Sequence, residues 1–139
     1  MKMKIKTFLF FIFLFLTSNL SAETINMHKI MMIESSGNAL SHNVREDSRG
    51  LLSIRRCVLT DYNQATRHHY KMDDLFDAQI NTSVARWYLL VELPRLLKHY
   101  NKPATVQNII ISYNGGIKYV ARDLQIPKST KQYLRRYWK

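Results

Sequence analysis

The sequence predicts one small, mostly α-helical domain, and three observations support this fold class. The chain has 139 residues, of which 46% are apolar and 22% charged, a balance typical of a single folded domain with no room for a second. Apolar residues recur at spacings of three and four in several segments, the period of an amphipathic helix. Residues 38–53 are instead rich in Asn, Ser, Arg, Asp and Gly, which predicts a loop with room for a short hairpin.

The first 22 residues have the pattern of a secretory signal peptide. Three lysines within the first six residues precede an unbroken apolar run, Phe8–Leu16, and small residues lead to Ala22. The run is far shorter than the about 20 apolar residues that a membrane-spanning helix needs. We therefore expect cleavage after Ala22, with an uncleaved anchor as the alternative. The folded domain is then residues 23–139, which we expect to be exported to a periplasm, a cell wall or the extracellular space and to be free of the membrane after cleavage.

The chain is strongly basic, with 21 Lys and Arg against 10 Asp and Glu. Removing the leader takes away three lysines and no acids, so 18 basic and 10 acidic residues remain, a net charge of +8. Such a charge favours anionic partners. An exported protein rarely meets nucleic acid but does meet anionic cell wall and phospholipid head groups, so we expect no nucleic-acid partner.

Neither the cysteine nor the histidines indicate a metal site. The single cysteine, Cys57, excludes an internal disulfide and a Cys-rich zinc site. Because it precedes Val58 and Leu59, we expect it to be buried. The five histidines show no metal-ligand spacing with acids, and no glycine-rich phosphate loop is present. The sequence therefore predicts no metal and no cofactor.

The first predicted helix covers residues 24–34. Thr24 is the expected N-cap, and Gly37 is the expected left-handed residue that ends the helix. Glu34 then lies at the end of a helix whose apolar face is buried.

The longest helical signal begins at Asp77, the expected N-cap. Its predicted apolar face is formed by Ile80, Val84, Trp87, Tyr88 and Val91. Pro94 is expected to break or kink this helix, because proline lacks the backbone N–H and crowds the preceding turn. The remaining predictions are a helix over 54–66, a turn over 73–76, an apolar helix over 105–113 and a last helix over 129–138. The total is five or six helices.

Four short blocks of sequence contain the candidate functional residues. They are Ile-Glu-Ser-Ser-Gly-Asn-Ala at 33–39, Ser-Arg-Gly-Leu-Leu-Ser-Ile at 48–54, Ile-Ser-Tyr-Asn-Gly-Gly at 111–116 and Thr-Lys-Gln-Tyr-Leu at 130–134. A fifth segment, Leu-Phe-Asp-Ala-Gln-Ile-Asn at 75–81, lies between the second and third. Together they resemble the soluble lytic transglycosylase domain of peptidoglycan-cleaving enzymes, a relative of goose-type lysozyme. The resemblance covers nearly all of the chain behind the leader and implies an α+β lysozyme-like fold.

The resemblance implies a mechanism that uses one carboxyl group, and it assigns that role to Glu34. Such enzymes cut the β-1,4 bond between N-acetylmuramic acid and N-acetylglucosamine and leave a 1,6-anhydro sugar. Independently, three apolar residues, Met31, Met32 and Ile33, precede Glu34. Partial desolvation there would raise the pKa of the carboxyl and keep it protonated near neutral pH.

The resemblance also implies five substrate-binding residues. They are Ser35, Ser53, Tyr113, Asn114 and Tyr133. Ser35 and Tyr133 fit a helix-end or packing role equally well. Ser53 stands where the family usually has a glutamine, which puts substrate affinity in question.

Asp47 is a candidate second acid, because goose-type relatives carry aspartates just before the block that begins here at Gly50. In that place it could position a water and turn the reaction toward hydrolysis. A solvated loop acid is the alternative.

The leading functional hypothesis is a monomeric, exported lytic transglycosylase acting on peptidoglycan glycan strands. Small relatives often open the wall for secretion, pilus or conjugation assemblies, and the sequence does not choose among these. A lysozyme and a non-enzymatic wall-binding module are the alternatives on the same fold. A membrane-active peptide is disfavoured, because the apolar run at 106–111 is typical of buried core.

Overall fold

Residues 24–139 are described by the computed structural model, and they form helices around one small sheet. The helices are α1 (Met27–Ser35), α2 (Arg56–Thr66), α3 (Ala78–Trp87), α4 (Leu93–His99), α5 (Val106–Gly115), α6 (Lys118–Ala121) and α7 (Lys128–Trp138). The strands are β1 (His42–Asn43), β2 (Ser48–Arg49) and β3 (Ile54–Arg55), antiparallel in the order β1-β2-β3. The mostly helical prediction is confirmed, as is the short hairpin. The predicted signal peptide lies outside the described residues. Among the described helices, none has the length and apolarity to cross a membrane.

The first helix begins later than the sequence suggested. Asn26, not Thr24, is its N-cap: the Asn26 side chain accepts a hydrogen bond from the backbone N–H of Lys29 at 3.0 Å. The Asn26 N–H itself donates to the hydroxyl of Tyr137 at 2.8 Å, so packing against α7 fixes the start. At the other end Ser36 already takes the left-handed conformation, with φ of 54°. The predicted position of Glu34 in the last turn is confirmed.

The long helix continues through Pro94, so of the two predicted outcomes the break does not occur, and a kink stays a prediction. A π-helical turn, Tyr88–Glu92, joins α3 to α4, and the N–H of Leu93 donates to the carbonyl of Tyr88 five residues back. A π-helical turn can accommodate Pro94, which lacks the backbone N–H that an α-helical hydrogen bond would need at this position. If α3, the π-helical turn and α4 are counted as one continuous helix, the described residues contain six helices, within the predicted five or six.

The wide turn also changes which side chains face the core. Leu89 and Leu93 are fully buried, whereas Val91 is 53% exposed. The prediction that Val91 belongs to the apolar face is therefore wrong, because the π turn shifts the helical phase after Trp87.

The core is one cluster gathered around α5 and the long helix. Val106, Ile109, Ile110 and Ile111 of α5 are all buried, which confirms the expectation for this run. The cluster joins them to Ile30 of α1, to the middle of the long helix and to two tyrosines of α7. Because α7 packs on both α1 and α5, residues from the two ends of the domain meet at one place.

Cys57 is exposed, and its predicted burial is wrong. Val58 and Leu59 take the core-facing side of α2. A residue one position earlier points about 100° away around the helix, since an α-helix has 3.6 residues per turn.

Candidate active site

Glu34 lies in the last turn of α1, with its side chain half-buried. The hydroxyl of Tyr133 donates a hydrogen bond to Glu34 Oε1 at 2.8 Å. Burial raises the pKa of the Glu34 carboxyl, and this effect outweighs the hydroxyls of Tyr133 and Ser53 and the charge of Arg55, which lower it. The site therefore holds a carboxyl that keeps its proton to higher pH than a solvated one and still has donors ready for its ionised form.

Tyr133 reaches the acid from α7, 99 residues further along the chain. Its side chain is 7% exposed, and burial together with the charge of Glu34 raises the pKa of its phenol far above the usual range. The phenol therefore remains a proton donor throughout the pH range in which proteins are folded. The sequence left Tyr133 with a substrate-binding or a packing role, and the structure adds a direct hydrogen bond from its hydroxyl to Glu34.

Tyr113 and Asn114 lie in the last turn of α5, and Tyr113 is close enough to Glu34 to be affected by its charge. A substrate contact of Asn114 stays a prediction. The Tyr113 hydroxyl donates to the backbone carbonyl of Leu52. Burial and the nearby charge of Glu34 raise the pKa of Tyr113 well above its usual value. Asn114 is half-buried in the same turn.

The end of α5 lies directly against α7. A Cβ added at Gly115 would lie 2.8 Å from Thr130 Oγ1, closer than side chains normally approach. The glycine therefore lets the two helices meet at the distance that brings Tyr133 beside the site.

Ser35 joins α1 to the segment that follows Gly50. Its hydroxyl lies 2.8 Å from the carbonyl of Leu51 and 3.2 Å from that of Met31, and it donates to these oxygens. The bond holds the turn that contains Ser53 against the end of α1. Contact of Ser35 with a sugar, through the acceptor side of its hydroxyl, stays a prediction.

Asn81 shapes the site although the sequence assigned it no role. Its side chain is fully buried on α3 and accepts a hydrogen bond from the N–H of Leu52 at 3.0 Å. Its amide donates to the carbonyls of Leu75 and Arg49, each at 2.9 Å. Asn81 thus fixes the backbone that carries Ser53. Asn81 could have been identified from the sequence as a polar residue three positions before Val84, on the buried face of an amphipathic helix.

Asp47 and its neighbour Glu46 are both held by arginines. Asp47 lies 2.8 Å from Arg56 and 3.6 Å from Arg49. Glu46 pairs with Arg55 at 2.8 Å, and these two charges, rather than that of Asp47, act on Glu34. A catalytic role for Asp47 stays a prediction, and in this arrangement its carboxylate is engaged by Arg56.

The resemblance to peptidoglycan-cleaving enzymes implies a sugar beside Ser53, and on that basis we expect Ser53→Gln to raise affinity for peptidoglycan about two- to tenfold, because a longer amide can add one hydrogen bond to the sugar. Product chemistry should not change. Binding to purified peptidoglycan measures the effect, and thermal unfolding separates it from overpacking. Ser36→Gln is the matched control, since Ser36 shares the left-handed backbone (φ 54° against 48°) but is exposed. Weaker binding by Ser53→Gln at unchanged stability would contradict the expected subsite.

Across residues 24–139, no group of three or more His, Cys, Asp or Glu side chains is arranged to hold a metal ion. Around the half-buried carboxyl of Glu34 the structure gathers two phenols, a serine hydroxyl and an arginine. This set can donate and recover a proton at a single oxygen.

The chain matches the family model of the transglycosylase SLT domain over residues 17–135. Searches of curated proteins and of solved structures found no match. The family match spans all four blocks of the sequence, from Glu34 to Tyr133.

Proposed function

Because the chain belongs to the transglycosylase SLT domain family, whose substrate is peptidoglycan, we propose that it is a lytic transglycosylase with Glu34 as its only acid and base. The observation that carries the proposal concerns the Glu34 carboxyl. Burial raises its pKa, and the phenol of Tyr133 donates a hydrogen bond to it at 2.8 Å. A general acid must hold its proton near neutral pH, and a general base must keep a lone pair free to accept a proton.

The proposed reaction uses the same carboxyl twice. Protonated Glu34 gives its proton to the glycosidic oxygen, and the bond from that oxygen to C1 of the muramic acid breaks. The carboxylate then takes the proton of the sugar's own 6-hydroxyl, whose oxygen bonds to C1. Glu34 ends protonated as it began, no water is consumed, and the product carries a 1,6-anhydro ring.

Tyr133 and Ser53 support the middle of this cycle. Once Glu34 has lost its proton, both hydroxyls stabilise the carboxylate, as their lowering of its pKa indicates. The positive charge of Arg55 acts in the same direction. These groups limit the cost of a buried negative charge between the two proton transfers.

Hydrolysis by a lysozyme-type reaction is the alternative. Two-carboxylate hydrolysis needs a second acid free to activate water. Asp47 lies in ion pairs with Arg56 and Arg49, and Glu46 lies in one with Arg55. This pairing favours the transglycosylase reaction.

We further propose that the protein acts outside the cytoplasm, on the cell wall. The basic, apolar pattern of residues 1–22 and the net charge of +8 behind it support this location. A role in opening the wall for a secretion, pilus or conjugation assembly is consistent with a catalytic domain of this small size.

Digestion of purified peptidoglycan tests the proposal. We expect mass spectrometry to find released fragments that end in 1,6-anhydro-muramic acid. Fragments with reducing ends would identify a lysozyme instead. Binding without release would leave the wall-binding module as the function.

We expect Tyr133→Phe to shift the alkaline limb of the activity–pH profile to higher pH. The phenol lowers the pKa of Glu34, so its removal raises that pKa and keeps the acid protonated further into the alkaline range. Ser53→Ala should act in the same direction but less strongly. Rates of muropeptide release across pH measure the shift.

Tyr119→Phe, the same change on α6, serves as the control and should leave the profile in place. A shift of the Tyr133→Phe profile toward lower pH would contradict the proposed role of the phenol.

A further inference from the structure

The outer face of α7 carries a row of cations. Lys128, Lys131 and Arg135 follow one another at spacings of three and four residues, and all three are exposed. Because successive residues of an α-helix are about 100° apart, these three lie within about 60° around the helix axis. The chain contains no Asp or Glu after Asp123, so α7 itself has no acid to balance them. We call these three residues the basic stripe of α7.

The basic stripe is not neutralised from elsewhere in the described structure. Among residues 24–139, every ion pair with an acid involves a different cation, and these cations are Arg49, Arg55, Arg56, Arg95 and Lys102. The opposite face of α7 is fixed in the core by Tyr133 and Tyr137, both buried. The helix therefore presents its positive charge outward, on the side away from Glu34.

Trp138 lies at one end of the basic stripe. It is 44% exposed, although its ring packs edge-on against that of Tyr137 at 4.9 Å. Three positions separate it from Arg135, so the two side chains lie on the same side of the helix. An indole has an apolar body and one polar N–H, which suits the boundary between an apolar layer and water. The stripe thus combines cations with an aromatic group of the kind found at membrane surfaces.

The N-terminal part of the chain joins the domain at this same end of α7. The backbone N–H of Asn26 donates to the hydroxyl of Tyr137 at 2.8 Å, next to Trp138 in sequence. Residues 1–22, just before this point, contain the basic and apolar pattern that is typical of a segment directed to a membrane. The end of α7 that carries Trp138 is therefore the part of the domain closest to where that segment joins.

We propose that the basic stripe and Trp138 dock the domain on an anionic phospholipid surface. The negative potential of such a surface attracts clustered Lys and Arg side chains. Since the apolar face of α7 is packed in the core, the helix lies on the head groups without inserting, and only Trp138 reaches the interfacial layer. Docking of this kind needs no leader, so it adds a membrane contact to a domain whose sequence predicts none after cleavage. The inference does not rest on the proposed reaction.

An acidic polymer of the cell wall is the competing partner, because its charges would also pair with the basic stripe. A solvated polymer offers no apolar layer for the exposed ring of Trp138, whereas a bilayer does. The position of Trp138 beside the cations therefore favours a bilayer.

Cosedimentation with lipid vesicles tests the proposal on the protein recovered after export. We expect binding to vesicles of equal parts phosphatidylglycerol and phosphatidylcholine, little binding to phosphatidylcholine alone, and weaker binding as salt is raised. The double variant Lys131→Gln, Arg135→Gln should bind anionic vesicles about ten- to thirtyfold more weakly, because each cation near such a surface contributes about fivefold. Arg86→Gln with Lys98→Gln is the matched control: it removes the same charge from exposed positions on α3 and α4 and should leave affinity nearly unchanged.

Tryptophan fluorescence supplies a second readout. The chain has two tryptophans, so Trp87→Phe leaves Trp138 as the only emitter. Anionic vesicles should shift its emission to shorter wavelength as the ring leaves water. Phosphatidylcholine vesicles and polyphosphate, a soluble anionic polymer, should not.

Equal losses of vesicle binding in the two double variants would overturn the proposal, since net charge rather than the stripe would then decide affinity. Binding to polyphosphate that is tighter than to anionic vesicles, with no shift of Trp138 emission, would identify an acidic polymer as the partner and also overturn it. The vesicles contain no peptidoglycan, and Glu34→Gln should bind them as the unaltered protein does. Failure of vesicle binding would therefore leave the proposed reaction standing, and failure of cleavage would leave the docking surface standing.

Discussion

Glu34→Gln is expected to abolish cleavage of peptidoglycan while the protein stays folded. The glutamine amide has nearly the same shape and its oxygen can still accept the hydrogen bond of Tyr133, but it cannot give or take a proton. General acid–base catalysis contributes about 100- to 10,000-fold, and here one residue performs both steps. Mass spectrometry of released muropeptides measures the loss. Retained wall lysis would contradict the assignment of Glu34.

The same variant makes a prediction about stability. Because the pKa of Glu34 is raised in the folded state, ionising it costs stability as pH rises from the unfolded pKa through the folded one. Glu34→Gln should therefore unfold at the same or a higher temperature than the unaltered protein at pH 8. The advantage should disappear in acid, below the ordinary carboxyl pKa. Asp123→Asn, an exposed acid paired with Lys102 in the loop after α6, should show no such gain.

Gly50→Ala is expected to destabilise the fold and to displace the segment that carries Ser53. Gly50 has φ of +77°, and a Cβ there would lie 2.2 Å from the carbonyl oxygen of Leu75 and 2.1 Å from Asn81 Nδ2. A left-handed alanine costs about 1–2 kcal/mol, and overpacking adds about 1–3 kcal/mol. Chemical denaturation measures the total, and muropeptide release should fall because Asn81 can no longer hold the N–H of Leu52.

Gly37→Ala is the matched control for backbone strain. Gly37 has φ of +79°, but its Cβ would meet only Met32 Sδ, at an ordinary 3.8 Å. Gly37→Ala should therefore lose only the about 1–2 kcal/mol that a left-handed alanine costs. Equal losses in the two variants would show that crowding against Asn81 and Leu75 does not matter.

Several features of this protein could be predicted from sequence because they depend on neighbours within one turn. Asp77 caps its helix as expected, accepting hydrogen bonds from the backbone N–H groups two and three residues later. Thr105, predicted as the first residue of its helix, is the N-cap and accepts a hydrogen bond from the N–H of Asn108. Such caps need only the side chain and the backbone that follows it. The position of Glu34 at a helix end, behind three apolar residues, follows from the same local pattern, and the four blocks are sufficient to indicate the family.

Other features are decided by which surfaces pack together, so a local pattern does not contain them. The N-cap of α1 is Asn26 rather than Thr24 because the hydroxyl of Tyr137 on α7 binds the N–H of Asn26. Cys57 is exposed because its neighbours Val58 and Leu59 face the core. The π turn before Pro94 leaves Leu89 and Leu93 buried in that core and Val91 exposed.

The arrangement around the acid depends most on tertiary structure. The phenol of Tyr133 donates to Glu34 across 99 residues, and Asn81 holds the turn of Ser53 from a different helix. The sequence determined that a glutamate would end α1 and that a tyrosine would lie on α7. Only the packing of α7 on α1 and α5 decided that the two side chains meet, because a hydrogen bond requires atoms about 3 Å apart and helical periodicity fixes the face of a residue, not its distant partner.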